Sequence, residues 1–161
     1  MSLVIFITMK VITKPINISF RKLCVSDAKS LFDIESANTR HPWSVSNFES
    51  SLANCGTISD GLFVEGRLVG YALALVALDT ADLLNIGIHP NYKRLGYGKL
   101  LLNQLLEQLQ VIVVSDLFLE VGVKNHIAIN FYQSQGFRVI NTREKYYSNL
   151  EDAKIMKLHI S

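Results

Sequence analysis

The order of apolar and polar positions predicts short strands and helices through the first half of the chain. Residues 17–23 alternate as a half-buried strand does, and residues 28–34 then follow a helical period behind Ser26 or Asp27 as cap. A break at residues 41–44 precedes a second short helix, for which Ser44 is the expected cap. Two strand patterns come next, and the stretch Glu65-Gly66-Arg67 between them is typical of a hairpin turn.

The second half of the chain alternates between apolar strands and amphipathic helices. Residues 81–89 form a heavily apolar strand, and leucines then recur at helical spacing through residues 96–110. The remaining segments are a strand at 116–121, a helix at 125–135, and strands at 137–142 and 154–158. The resulting order, β-α-α-β-β-β-α-β-α-β-β, predicts a mixed α/β fold in which helices flank a central sheet.

Length and composition fit one folded domain. The chain has 161 residues, of which 49% are hydrophobic and 19% charged, and no linker, repeat or charge block divides it. We therefore expect a single domain over residues 16–161 after an N-terminal extension of unclear role over residues 1–15. The apolar stretch in that extension is shorter than a membrane span and lacks the flanks of a signal peptide, so no membrane partner is expected.

Net charge, cysteines and histidines argue against several classes of function. A formal charge of +2 is too small for a typical nucleic-acid-binding protein, whose basic residues usually concentrate on one face. Cys24 and Cys55 form no CxxC pair, so we expect two small buried hydrophobes in a reducing, cytoplasmic setting. The histidines show no ligand spacing, and no metal is predicted.

Glycines and basic residues crowd the joint between the apolar strand and the leucine-rich helix. Gly96 and Gly98 lie where the helix begins, beside Lys93, Arg94 and Lys99. Backbone N–H groups at a helix N-terminus attract anions, and glycine lets a phosphate approach the backbone closely. The joint matches neither the Walker A pattern, which needs Ser or Thr after its Lys, nor the GxGxxG dinucleotide pattern. By itself it indicates either a plain turn or a pyrophosphate site.

The joint resembles the acetyl-CoA loop of the GNAT superfamily of N-acetyltransferases, in which a strand is followed by the pattern [QRK]-x-x-G-x-G and then by a leucine-rich helix. Within that superfamily the chain is most similar to the ribosomal-protein-alanine N-acetyltransferase (RimI) group. The resemblance implies the GNAT fold, with a mostly antiparallel central sheet flanked by helices. The matching residues are Pro42-Trp43-Ser44, Asn85, Ile86, Ile88, Pro90, Tyr92, Leu119-Glu120-Val121, Asn125, Ala128, Phe131-Tyr132, Gly136-Phe137, Tyr146-Tyr147, Glu151-Asp152-Ala153 and Met156.

The resemblance also implies acetyl-CoA as co-substrate and assigns roles to individual residues. It makes Glu120 the general base and Tyr132 the general acid. The residues alone leave open a strand-end ion pair for Glu120, packing for Tyr132 and a helix cap for Asn125. A glycine within a strand, such as Gly87, fits a bulge or a close ligand approach. The expected cofactor contacts are Ile86, Gly87, Ile88, Lys93, Arg94, Leu95, Gly96, Tyr97, Gly98, Lys99 and Asn125.

The expected acceptor is the N-terminal α-amine of a protein, such as the N-terminal alanine of a ribosomal protein. Trp43, Tyr146 and Tyr147 are candidates to line its groove, with hydrophobic packing as the alternative. An α-amino group, with a pKa of about 7.7–8.0, loses its proton more easily than a lysine side chain at about 10.4. Two alternatives stay open, namely transfer to a small-molecule amine or lysine side chain, and acyl-CoA sensing without turnover. The oligomeric state is not predicted.

Overall fold

The computed structural model describes residues 15–144 and 151–160, which form a seven-stranded sheet with helices on both faces. The strands are β1 (Ile18–Lys22), β2 (Thr57–Val64), β3 (Arg67–Ala77), β4 (Thr80–Ile88), β5 (Asp116–Gly122), β6 (Arg138–Arg143) and β7 (Ala153–His159). The helices are α1 (Ala28–Ser36), α2 (Val45–Ala53), α3 (Tyr97–Val111) and α4 (His126–Ser134). The predicted element order is confirmed. Residues 1–14 of the expected extension lie outside the described residues, as do Tyr146 and Tyr147.

The strand order is β1-β2-β3-β4-β5-β7-β6, and every neighbouring pair is antiparallel except β4 and β5. Local signals fix the ends of several elements. The hairpin turn at Glu65 and Gly66 has φ angles of 49° and 77°, as a two-residue turn between antiparallel strands requires. The Ser44 side chain accepts a hydrogen bond from the Asn47 backbone N–H at 3.1 Å and so caps α2, as predicted.

The sheet separates two hydrophobic clusters. The larger cluster lies under α3 and α4, and the smaller one lies under α1 and α2 and includes Tyr71 and Phe48. The predicted leucine stripe of α3 faces the larger cluster, and its members are fully buried: Leu101, Leu102, Leu105 and Leu109. Burial of this stripe against the sheet is the main reason why α3 takes its place there, since packing supplies most helix stability in proteins.

The prediction that both cysteines are buried is wrong. Cys24 and Cys55 are exposed thiols. Cys24 lies between β1 and a 3₁₀ turn at Val25–Asp27, and Cys55 lies between α2 and β2. Connections between elements run over the surface, so position in the chain overrides the usual preference of cysteine for the interior.

Asp60 on β2 is a buried carboxylate, exposed by 3%, that accepts hydrogen bonds from Nε2 of Gln108 on α3 at 2.7 and 2.6 Å. Burial raises the pKa of Asp60 above its usual 3.8. The ionised carboxylate therefore lowers the free energy of unfolding at neutral pH. This cost disappears as the pH falls to, or below, the pKa that Asp60 has in the unfolded chain.

Replacing Asp60 with Asn is expected to raise the free energy of unfolding at pH 7 by about 1 kcal/mol, since it removes the charge and keeps an acceptor for Gln108. Urea unfolding at pH 7 and near pH 3.5 measures the effect, and Glu107→Gln on the exposed side of α3 is the control. The gain should vanish at the lower pH. A loss of stability at pH 7, or a gain that ignores pH, would contradict this account.

Candidate active site

Strands β4 and β5 are paired at one end and separate at the other. The parallel register joins residues 80–82 of β4 to residues 116–118 of β5. The register between β3 and β4 then shifts, because Leu73 faces Asn85 whereas Ala74 faces Leu83, which leaves Leu84 as the extra residue of a bulge. The ladder between β4 and β5 ends before this bulge, and residues 83–88 of β4 and 119–122 of β5 are not paired with each other, which leaves a gap between the two strands.

The backbone groups of Ile86 and Ile88 point into this gap. The N–H of His89 donates to the carbonyl of Val69 at 2.8 Å, so that rung of the antiparallel ladder is hydrogen-bonded. Gly87, two residues before His89, also lies at a hydrogen-bonded position of this ladder, so its N–H and C=O groups point toward β3. Ile86 and Ile88 alternate with these positions, and their N–H and C=O groups therefore face the place that β5 has left. They form a strand edge to which an extended ligand can pair, and one of its groups, the Ile88 carbonyl, already accepts a hydrogen bond from Nδ2 of Asn38 at 2.9 Å.

The side chain of Tyr71 leaves too little room for a Cβ atom at position 87, so glycine is needed there. A Cβ atom at this position would lie 2.9 Å from Cε1 of Tyr71 and 3.0 Å from its hydroxyl oxygen. Tyr71 is fully buried and stands directly opposite Gly87 on β3. The bulge anticipated as one explanation of this glycine lies instead at Leu84.

Gly87→Ala is expected to lower the free energy of unfolding by about 1–3 kcal/mol, because the Tyr71 ring cannot move away within a close-packed cluster. Thermal unfolding followed by circular dichroism measures the change. The control is Gly98→Ala, where the added methyl meets Phe131 at an ordinary 3.7 Å. Equal stability of the two variants would show that the ring does not set this requirement.

The glycine-rich joint turns the chain from β4 into α3. Gly96 is the residue before α3 and has a φ of 83°, and Arg94 has a φ of 61°. The space around Gly96 is open, so the backbone angle, not crowding, requires glycine here. Lys93, Arg94 and Lys99 are exposed around the helix start. The first N–H groups of α3 have no acceptor within the helix, so the joint fits an anionic group such as a pyrophosphate.

The other residues of the predicted loop differ in exposure. The Leu95 side chain is 61% exposed, whereas Tyr97 is 7% exposed and packs in the larger cluster, with its ring centroid 6.4 Å from that of Tyr92. Gly98 lies close to Phe131 of α4. The joint therefore borders both the end of β4 and the helix that carries Tyr132.

Glu120 and Tyr132 belong to opposite faces of the sheet. Leu119 and Val121 point into the larger cluster, so Glu120 between them points to the opposite face. Tyr132 is 8% exposed and belongs to the larger cluster, where its ring lies 5.5 Å from that of Phe137. The Glu120 side chain thus lies on one face of the sheet beside the gap between β4 and β5, and Tyr132 belongs to the cluster on the other face.

The Glu120 carboxylate forms the strand-end ion pair that the residues alone left open, with a partner that the sequence did not name. Nη1 of Arg143 on β6 lies 2.8 Å from Oε1 of Glu120, whose side chain is 26% exposed. Asp82 on β4 is near as well, since burial first and then the negative charge of Glu120 raise the pKa of Asp82. The face of the sheet that carries Glu120 therefore also has the charged side chains of Asp82 and Arg143 close to it.

Asn125 and Trp43 both have structural roles. Oδ1 of Asn125 accepts from the Ala128 backbone N–H at 3.2 Å and caps α4, while its Nδ2 group remains a separate donor. Trp43 lies before α2, packs on the smaller cluster, and has its ring centroid 5.4 Å from that of Phe48. Helix capping and packing are thus present at these two positions, and ligand contacts there remain predictions.

Two kinds of feature are absent from the described residues, 15–144 and 151–160. These residues contain no group of three His, Cys, Asp or Glu side chains arranged to hold a metal ion. None of the helices in this part of the chain has both the length and the apolar character needed to cross a bilayer.

Comparison with known sequences identifies the family. The sequence model of the "Acetyltransferase (GNAT) family" matches residues 28–137. This chain belongs to the acetyltransferase (GNAT) family. The matched range covers the splayed strands, the glycine-rich joint and both candidate catalytic residues of the GNAT chain.

Individual GNAT relatives agree with this assignment. The chain is 36% identical over 139 residues to the [ribosomal protein bS18]-alanine N-acetyltransferase of Escherichia coli K12, covering 84% of this chain and 93% of the relative. The crystal structure of the Escherichia coli ribosomal-protein-S18-alanine N-acetyltransferase superposes with a TM-score of 0.84 at 34% identity, over 90% of this chain and 95% of that one. Arabidopsis thaliana NAA60 in complex with acetyl-CoA shares the fold, with a TM-score of 0.79 at 20% identity over 89% and 99% of the chains. The predicted GNAT fold is confirmed.

Proposed function

We propose that this protein transfers the acetyl group of acetyl-CoA to the N-terminal α-amine of a protein, with the N-terminal alanine of ribosomal protein bS18 as acceptor. The observation that supports the proposal is the gap between β4 and β5, with the strand edge at Ile86 and Ile88, Glu120 on one face of the sheet and Tyr132 in the cluster on the other face. The acceptor is suggested by the names of the relatives that are 31–36% identical over most of their length. A ribosomal acceptor also fits the cytoplasmic location expected from composition.

The residues of the gap and the joint fit acetyl-CoA. The N-terminal N–H groups of α3 and the side chains of Lys93, Arg94 and Lys99 would hold the pyrophosphate. The strand edge at Ile86 and Ile88 would pair with the amide groups of the pantetheine arm, as an added strand pairs with a sheet. When bound, acetyl-CoA supplies an acetyl thioester as the electrophile.

The side chains around the gap meet the demands of direct acyl transfer. Glu120 takes the proton from the α-amine, whose nitrogen then forms a bond to the acetyl carbon. Backbone N–H groups of the β4 edge donate to the oxygen that becomes negative in the tetrahedral intermediate. Tyr132 donates its proton to the sulfur as the carbon–sulfur bond breaks; between a phenol of pKa about 10 and a thiolate of pKa about 8.5 this transfer is uphill by only about 1.5 pKa units. The products are the N-acetylated chain and CoA.

A thiol-release assay with acetyl-CoA tests the proposal against its alternatives. One acceptor is a peptide with the N-terminal sequence of bS18, the second is the same peptide with a blocked α-amine and a free lysine, and the third is a polyamine. Turnover confined to the free α-amine is expected. Turnover on the polyamine or the lysine alone would favour the other acceptors, and CoA binding with no turnover would favour a sensor.

A further inference from the structure

The Glu35 carboxylate on α1 bridges strand β4 and the loop that precedes α2. Nδ2 of Asn85 donates to Oε1 of Glu35 at 2.9 Å, and the backbone N–H of Trp43 donates to Oε2 at 3.1 Å. The hydroxyl of Tyr71 donates to Oδ1 of Asn85 at 3.1 Å. Burial first and then the charge of Glu35 raise the pKa of Tyr71, so this hydroxyl stays protonated and keeps donating. The bonds form one continuous chain from β3 to the loop.

The two ends of this chain of bonds lie at places that matter for acyl transfer. Asn85 is next to the β4 bulge and directly precedes Ile86, whose backbone faces the gap. Trp43 is a candidate for the acceptor groove and immediately precedes Ser44, the cap of α2. Glu35 is therefore the link between the strand edge proposed for acetyl-CoA and the loop proposed for the acceptor.

A second tie joins the same two parts of the fold. Nδ2 of Asn38, just after α1, lies 2.9 Å from the carbonyl oxygens of both Ile34 and Ile88. The Ile88 carbonyl is one of the groups that point into the gap. The loop over residues 37–44 is thus fastened to β4 near its start by Asn38 and near its end by Glu35.

Packing alone does not account for a carboxylate at position 35. A half-buried charge is costly unless it is hydrogen-bonded, and an apolar side chain would fill the same volume without that cost. Both oxygens of Glu35 are used, each by a donor from a different element. The bridge needs one side chain that can hydrogen-bond to both elements at once.

We propose that Glu35 is a positioning residue, which holds the Trp43 loop against β4 so that the acceptor amine meets the acetyl group at the gap. This role rests on the proposed function. Glu35 acts through Asn85 and Trp43 and takes no part in proton transfer. Its loss should weaken acceptor binding and leave the acetyl-CoA site largely unchanged.

Two substitutions separate hydrogen bonding from other roles. Glu35→Ala removes both acceptors. Glu35→Gln keeps the bridge. Its Oε1 can accept from the Trp43 N–H, and its Nε2 can donate to Oδ1 of Asn85 if the side-chain amide of Asn85 flips. The flipped Asn85 then donates from Nδ2 to the Tyr71 hydroxyl. Glu49→Ala, on the exposed surface of α2, is the matched control.

For Glu35→Ala we expect the KM for the bS18 peptide to rise about tenfold while the KM for acetyl-CoA changes less than about twofold. Trp43 is the single tryptophan of the chain, so its fluorescence reports the loop directly. Its emission should shift to the red and its quenching by acrylamide should increase in Glu35→Ala. Glu35→Gln and Glu49→Ala should resemble the wild type in all three measurements.

Unchanged Trp43 fluorescence in Glu35→Ala would overturn the proposal, as would an equal rise in both KM values. Failure of Glu35→Gln to restore the wild-type values would overturn the hydrogen-bonding explanation. If the wild type acetylates no peptide, the proposed function fails, whereas the fluorescence of the variants still decides whether Glu35 holds the loop.

Discussion

Glu120→Gln is expected to lower kcat for peptide acetylation about 100- to 1,000-fold, with the dissociation constant for acetyl-CoA unchanged. Glutamine keeps the size of the side chain but cannot take the proton that the α-amine must lose. It also loses the ion pair with Arg143 at 2.8 Å, which is partly exposed and contributes about 1 kcal/mol or less to stability. Stopped-flow or steady-state thiol release gives kcat, and isothermal titration gives the affinity for acetyl-CoA.

The matched control for Glu120→Gln is Glu107→Gln, the same chemical change on the exposed side of α3. It should keep the wild-type kcat. A parallel loss of acetyl-CoA affinity and rate in Glu120→Gln would show that Glu120 is structural. A kcat within a few fold of the wild type would remove it from the mechanism.

Tyr132→Phe is expected to lower kcat about 100-fold, because the departing thiolate loses its proton donor. The variant keeps the ring that packs against Phe131 and Phe137. Acetyl-CoA should therefore bind with near wild-type affinity, and the midpoint of thermal unfolding should fall only slightly. Single-turnover kinetics with saturating peptide measures the chemical step directly.

Tyr92→Phe is the control for Tyr132→Phe, since it removes a hydroxyl from a partly buried tyrosine that has no proposed chemistry. Its kcat should stay near the wild-type value. If Tyr132→Phe keeps its rate and only loses stability, Tyr132 is a packing residue and another donor must protonate the sulfur.

The fold was largely predictable because it depends on local periodicity. The leucines of α3 recur at helical spacing, and the structure buries them as a stripe. The Ser44 cap and the Glu65-Gly66 turn carry residue types that those positions favour. The exposed Cys24 and Cys55 were mispredicted because residue preference for burial is an average, while exposure depends on where the chain places each connection.

The site was predictable in outline but not in its working geometry. The resemblance named Ile86, Gly87 and Ile88 together, whereas the ladder register separates the two residues that face the gap from the one that faces β3. The bulge at Leu84 has no distinctive residue type and is visible only in the register. The ion pair between Glu120 and Arg143 requires β7 to lie between β5 and β6, a long-range pairing that local patterns do not encode.

The most direct test of the proposed function is the site of acetylation on its proposed acceptor. Purified, unacetylated bS18 is incubated with acetyl-CoA and the enzyme, in parallel with Glu120→Gln, and the products are mapped by tandem mass spectrometry. The wild type should place one acetyl group on the α-amine of the N-terminal alanine, and Glu120→Gln should place almost none in the same time. Acetylation confined to lysine side chains, or none by the wild type, would contradict the proposed function.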